Sequence, residues 1–153
     1  MPLAYLSLGS NLGDREAYIH QALNALDQTA GRLVKCSSLI ETAPWGFESS
    51  HSFVNSCAVL ETKLSPMELL RATQAVERSL GRTHKSHDGH YGDRTIDIDI
   101  LLYDDWVVRS HDLILPHPLM AQRYFVLKPL CEIAPSLHHP LSGLTVSKML
   151  ARL

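Results

Sequence analysis

Hydrophobic residues follow two periods along this chain. Leu3 to Leu8 is a short apolar run that stops at Gly9-Ser10-Asn11-Leu12-Gly13-Asp14, which reads as a strand closing in a turn. Ile19, Ala22, Leu23 and Leu26 then recur at i, i+3, i+4 and i+7, the stripe of an amphipathic helix, with Gly31 just past its expected end. Residues 32–41 and 52–62 return to strand character, clearest in Phe53-Val54-Asn55-Ser56-Cys57-Ala58-Val59-Leu60. Ser65-Pro66-Met67-Glu68 is the sharpest helix start: Ser65 can cap, Pro66 suits the first turn and Glu68 completes a capping box. Leu69, Ala72, Thr73, Val76 and Leu80 form the inner stripe of that helix, and Gly81 is placed to end it. A polar loop, 82–94, leads into the Ile/Leu run 96–102, a fourth strand by length and β-branching.

The resulting order, β-α-β-β-α-β, is the split βαβ arrangement of the ferredoxin-like fold. The expected class is therefore α+β, an antiparallel sheet with helices packed on it. Trp106-Val107-Val108 and Leu113-Ile114-Leu115 read as short edge strands, and 118–130 and 144–153 as short peripheral helices. No repeat, linker or low-complexity segment interrupts the pattern, so residues 1–153 are expected to form a single domain.

Composition narrows the function. Apolar residues make up 45% and charged residues 20%, the balance of a globular chain rather than a disordered one. A formal net charge of −2 argues against a nucleic-acid partner held mainly through phosphates, although a local basic loop could still grip a small polyphosphate. No apolar run approaches the roughly 18 residues that a membrane helix needs, and the N-terminus lacks a basic segment followed by an apolar one. The expectation is a soluble, cytoplasmic protein with no membrane partner. Cys36, Cys57 and Cys131 are odd in number and widely spaced among apolar or small residues, which suits reduced core thiols; no pair has zinc-ligand spacing.

Three segments carry candidate chemistry. In a strand, side chains at i and i+2 point to one face about 6 to 7 Å apart, so Asp97 and Asp99 share a face while Ile96, Ile98 and Ile100 take the other. Two carboxylates in an apolar sheet repel and are costly to desolvate, and a hard cation such as Mg²⁺ removes both penalties. The competing reading is a half-exposed polar strand face paired with Arg94. Loop 82–94 holds two Arg, one Lys and three His but no aliphatic anchor, as a mobile lid over phosphates would. A plain solvated loop is the alternative, and a transition-metal site lacks any firm ligand template. A basic lid beside an acidic pair matches the division of labour in phosphoryl transfer. The third segment, 41–51, carries Trp45 and Phe47 and leads into Phe53 and Asn55, which share one strand face. Aromatic planes plus an amide suit a flat heteroaromatic ligand, or else the two aromatics cap one end of the core. Gly9 to Gly13 lacks the Gly-Lys-Ser/Thr of a phosphate-binding loop and reads as a turn plus helix cap; no Gly-x-Ser-x-Gly elbow occurs.

Placed together, these segments resemble a known family. The marks are Gly9-Ser10-Asn11-Leu12, Thr42 with Pro44 and Gly46, Phe53 with Asn55, Gln74 with Glu77, Gly81-Arg82, and Gly92 with Arg94-Thr95-Ile96-Asp97-Ile98-Asp99-Ile100. Further on come Pro116-His117-Pro118, Arg123 with Phe125, and Glu132-Ile133-Ala134-Pro135. This pattern is similar to the 6-hydroxymethyl-7,8-dihydropterin pyrophosphokinases of folate synthesis. The resemblance implies transfer of the β,γ-pyrophosphoryl group of ATP to the 6-hydroxymethyl oxygen of the reduced pterin, releasing AMP, with two Mg²⁺ ions and a monomeric enzyme. It implies that Asp97 and Asp99 hold the metals and that Arg82 and Arg94 assist the chemistry. Thr42, Ala43, Pro44, Trp45 and Asn55 would read the pterin edges, Phe53 and Phe125 its faces, with Tyr91 and Asp97 also against it. Gln74, Glu77, Arg82, His84, Tyr91, Arg94, Ile100, Ile114, His117 and Arg123 would line the ATP side.

Departures from the best-known members fall mostly on that side. His84 stands where Arg is usual, Tyr91 where Trp is, the lid is two residues longer, Asp112 lies near a habitual basic position, and Pro118 replaces an aromatic. Around the pterin, Ala43 stands for Pro, Trp45 for an aliphatic residue and Phe53 for Tyr. Two other readings use the same features: a Mg²⁺-dependent nucleotidyl transferase or nuclease built on the Asp pair, and a non-catalytic ferredoxin-like binding module.

Overall fold

The computed structural model describes residues 1–45, 49–81 and 95–153. The elements run β1 (Leu3–Ser10), α1 (Arg15–Thr29), β2 (Arg32–Cys36), β3 (Ile40–Thr42), β4 (Phe53–Glu61), α2 (Pro66–Ser79), β5 (Asp97–Tyr103), β6 (Val108–Arg109), β7 (Ile114–Leu115), α3 (Tyr124–Ile133) and α4 (Val146–Ala151). The main sheet is ordered β2-β4-β1-β5 with every pairing antiparallel, and β3 joins β4 on the side of β2. This is the expected α+β, ferredoxin-like plan: β1 and β2 flank α1 in sequence but are split in space by β4.

Local chemistry explains the boundaries. Asp14 caps α1, its carboxylate accepting from the Ala17 amide. The capping box of α2 is complete, Ser65 and Glu68 each accepting from the other's backbone N–H, and Gly81 closes the helix at φ +94°. The strand expected over 32–41 is in fact two. At the break the Ser37 hydroxyl accepts the Cys57 N–H at 2.9 Å, supplying by side chain what the ladder would have supplied by backbone.

Two cores lie on opposite faces of the sheet. α1 and α2 cover one, sealing Ala4, Leu6 and Leu8, Val54, Ala58 and Leu60, and Ile96, Ile98 and Ile100. The segments expected at the periphery form the second layer: the 3₁₀ turn Met120–Gln122, α3 and α4 bury Cys57, Leu101, Leu102, Met120, Val126, Leu127, Leu130, Val146 and Met149. One irregularity sets the facing. Ala4 and Tyr5 pair with Tyr103 and Leu102, whereas Leu6 pairs with Ile100, so Leu101 is an extra residue bulged out of β5. Leu101 and Leu102 consequently both enter the second core, between Ile100 and Tyr103, which belong to the first. β6 and β7 form a separate two-stranded ribbon.

The cysteines do not share one environment. Cys57 is buried, and that burial pushes its thiol above the ordinary range, whereas Cys36 is exposed and Cys131 half-buried; all three are free. Cys36 therefore departs from the expected core thiol, because the edge strand β2 is exposed at four of its five residues. Among the described residues, no helix is long and apolar enough to cross a membrane.

Candidate active site

The second face of the sheet is only partly roofed by α3 and α4, and its open end carries the polar residues. Register places them in rows: Ile40, Asn55, Gly9 and Asp97 lie opposite one another across β3, β4, β1 and β5, and Cys57, Ser7 and Asp99 form the next row. Asp97 and Asp99 thus do share a face, half-buried, with the flanking isoleucines turned into the first core. Adjacent strands lie about 4.8 Å apart, so the Asn55 and Asp97 backbones stand about 10 Å from each other across this floor.

Gly9 is what keeps the floor low. A Cβ there would crowd the Asn55 side-chain oxygen at 3.0 Å and touch the Phe53 ring at 3.5 Å, so another residue would shift the Asn55 amide by a few tenths of an ångström and fill the space over the floor. The Asn55 amide donates to the Thr42 hydroxyl at 2.7 Å, tying β4 to β3 at the base of the aromatic loop. That loop is pinned from the segment following β1, a role not legible in the glycine-rich turn. Asn11, buried, donates to the His51 carbonyl at 3.2 Å, and Arg15 donates to the Ser52 carbonyl and hydroxyl, each at 3.0 Å. The Ser52 hydroxyl donates in turn to Glu41, and this bond, followed by the charge of Arg15, holds the Glu41 carboxyl below its usual range.

Arg123, Phe125 and Trp45 stand over the floor. The Arg123 guanidinium sits 4.7 Å from the Trp45 ring centre and 5.5 Å from that of Phe125, with Nη1 4.0 Å from Asp99 Oδ2. On the opposite side of β5, Glu77 is 2% exposed and accepts the Ile98 N–H at 2.8 Å, so it staples α2 to the strand that carries the Asp pair. Its place on the inner stripe of α2, four residues after Thr73, marks it as facing the sheet but not which backbone group it meets. His117 uses Nδ1 to accept the Leu119 N–H at 3.2 Å; in the neutral ring the proton is then on Nε2, which serves as a donor. Ile100 is buried in the first core, Ile114 is 50% exposed on β7, and Gln74 is half-buried on α2. Thr42, Pro44 and Trp45 are half-buried and Ala43 exposed. Arg82, His84, Tyr91 and Arg94 lie outside the described residues, as do the lid they belong to and Phe47 of the aromatic loop.

The donor set fits Mg²⁺. Among the described residues no three His, Cys, Asp or Glu side chains converge as a self-sufficient metal cage. Two carboxylates on one strand face suit an ion that is bound through one or two protein oxygens and takes the remainder from water and substrate phosphates. Two positions before Asp97, the buried hydroxyl of Thr95 has no hydrogen-bond partner among the described residues.

Comparison with known proteins agrees with this geometry. Residues 5–135 match the family described as 7,8-dihydro-6-hydroxymethylpterin-pyrophosphokinase (HPPK). A 2-amino-4-hydroxy-6-hydroxymethyldihydropteridine pyrophosphokinase of Porphyromonas gingivalis is 53% identical over 139 residues, 90% of this chain and 95% of the relative. The protein of the same name from Bacillus subtilis is 47% identical over 132 residues, 86% of this chain and 77% of its own length. In structure, the chain resembles wild-type Plasmodium falciparum HPPK-DHPS with a TM-score of 0.79 at 16% identity, covering 99% of this chain and 44% of that one. The last likeness concerns the fold, and the chain spans less than half of that larger protein. A family match that runs from β1 to the end of α3, over the floor and the cluster above it, leaves one conclusion: the chain belongs to the 7,8-dihydro-6-hydroxymethylpterin-pyrophosphokinase family.

Proposed function

We infer that the chain works as its family does, as an enzyme that transfers a pyrophosphoryl group from ATP to hydroxymethyldihydropterin in folate synthesis. The observation that carries the reading is the shared floor: a carboxylate pair on β5 and a Thr42–Asn55 amide pair on β3 and β4, on one sheet face, with aromatic side chains above. In finer detail, Asp97 and Asp99 hold two Mg²⁺ ions. When bound, these ions neutralise triphosphate charge and lower the cost of bringing the hydroxymethyl oxygen against it. Asn55 and Thr42 present donors and acceptors to the pterin edge, together with Ala43, Pro44 and Trp45, while Phe53 and Phe125 face its rings. His117 offers its Nε2 proton to a phosphate oxygen, and Arg123, Arg82 and Arg94 take up charge on the phosphoryl oxygens. Gln74 and Ile114 bound the nucleotide, Ile100 acts from the first core by holding the β5 backbone beside Asp99, and His84 and Tyr91 complete the ATP side.

Glu77 acts on ATP through β5, by fixing the backbone at Ile98 between the two carboxylates. No side chain of the floor is a strong base, so positioning and electrostatics supply most of the rate. The whole chain acts as one domain and as a monomer in the cytoplasm, on small-molecule substrates, without nucleic acid or membrane. The test is incubation with ATP, Mg²⁺ and 6-hydroxymethyl-7,8-dihydropterin, then nucleotide separation. AMP that forms only when pterin is present is the expected product; ADP alone, or no turnover, overturns the reading.

A further inference from the structure

Arg123 is held in an unusual way for a residue that serves a phosphate. It is 6% exposed, and the rings around it meet edge to face, Trp45 and Phe125 lying 6.5 Å apart at 63°, so that they form a corner about the guanidinium. A buried guanidinium is tolerable where aromatic faces receive its weakly hydrated plane and a carboxylate balances its charge. The corner provides the first and Asp99, at 4.0 Å, contributes to the second. Asp99 is also assigned as a magnesium ligand under the proposed function, and the role of Trp45 rests on that assignment. A guanidinium and a dication drawn to one carboxylate repel each other, so loading the metal weakens the hold of Asp99 on Arg123. The 4.0 Å separation lies at the outer limit of an ion pair, a contact loose enough to exchange. The neutral rings are indifferent to the metal and stay.

We propose that Trp45 is a positioning residue: with Phe125 it forms a plate on which the Arg123 guanidinium rests beside Asp99 as the resident cation, and from which Arg123 passes to the triphosphate when Mg²⁺ arrives with nucleotide. Metal alone must take Asp99 from Arg123 while giving the guanidinium nothing in exchange. Metal carried by a triphosphate brings the anionic oxygens that receive it, in the bidentate geometry Arg favours. An aliphatic side chain at position 45 would bury Arg123 without attracting it, which gives the tryptophan at this position a function.

The test uses Trp45 as its own reporter. The chain has two tryptophans, and Trp106 is 47% exposed and packed on Tyr103, so Trp106→Phe leaves Trp45 alone. In that background, emission and calorimetry are recorded with Mg²⁺ alone and with Mg²⁺ plus α,β-methylene-ATP, pterin being omitted. Trp45 emission is expected to shift with Mg²⁺ and the analogue together and not with Mg²⁺ alone, and Arg123→Gln to abolish the shift. Arg123→Gln should also bind Mg²⁺ alone more tightly while binding the magnesium–analogue complex more weakly; a merely structural role would move both the same way. Trp45→Ala, which removes a contact made before Arg123 passes to the triphosphate, should tighten the magnesium–analogue complex by up to about tenfold, the size of a largely desolvated cation–π contact, and Trp45→Phe should return most of the parent affinity. A silent Trp45 with normal magnesium-dependent binding, or a shift that survives Arg123→Gln, overturns the proposal alone. Binding that ignores Mg²⁺, or is unchanged in Asp99→Asn, overturns the metal reading and the proposal with it.

Discussion

The two faces of the sheet are built from the same strands and serve opposite ends. Under α1 and α2 the face is mostly apolar: Leu8, Val54 and Ile98 continue Ala4, Leu60 and Ile100, with the buried Ser56, opposite Leu8, as a polar member between Val54 and Ala58. On the second face apolar residues stop halfway. Cys57, Leu101 and Leu102 lie beneath α3 and α4, Ser7 and Asp99 share the row of Cys57, and one row further on the strands present Asn55 and Asp97. The site is therefore no addition to the fold; it is the part of a core that the second helical layer leaves uncovered. A full layer gives stability, and a layer that stops short leaves half-buried carboxylates and amides held by a rigid sheet, the support a binding site needs.

Substitutions on the two faces should separate these roles. Asp97→Ala and Asp99→Ala are expected to lower turnover by several orders of magnitude, since each removes a carboxylate proposed to hold metal. Asp99→Ala should also lose some stability in urea, because it removes a counter-charge from buried Arg123. Near-normal turnover in either would end the assignment of the pair. On the apolar face, Leu60→Ala should cost about 2–5 kcal/mol in urea unfolding, the range for emptying a buried leucine site, with kcat of the folded protein retained. If activity falls in step with Leu60 packing, the faces are not independent. Asn55→Ala should weaken pterin binding by about 1–3 kcal/mol in calorimetry, the loss of a buried hydrogen-bonding group, and leave nucleotide affinity unchanged. Smallest, Ser65→Ala should cost about 1 kcal/mol of stability through the lost cap of α2 and nothing in turnover.

Much of this was legible in the chain. The helices α1 and α2 follow from a 3.6-residue stripe and from capping residues, and the alternation of Asp97 and Asp99 with isoleucines already assigns them to opposite faces. The split of the expected strand at Ser37 was hidden, because a serine side chain standing in for a ladder bond leaves no mark on the hydrophobic pattern. The role of α3 and α4 as a second layer was hidden too: an apolar run announces burial but not which surface it buries against. Among the site residues, those on single strands were readable by alternation. The positions of Asn11, Arg15 and Glu77, and the corner holding Arg123, depend on contacts between segments far apart in sequence, which no local spacing encodes.

The bulge at Leu101 carries a consequence for how this strand tolerates change in length. Above it, the odd-numbered residues Asp97 and Asp99 lie on the second face; below it the parity is reversed, and Leu102 rather than Tyr103 lies on that side. The two halves of β5 are in different reading frames, joined at one unpaired residue. Removing Leu101 would close the ladder into regular alternation, with Ile100 still opposite Leu6 and Leu102 opposite Tyr5, and would leave both carboxylates on the site face. A one-residue loss within the paired stretch from Asp97 to Ile100 has no such slack of its own, so single-residue length variants of this strand should be tolerated best at the bulge.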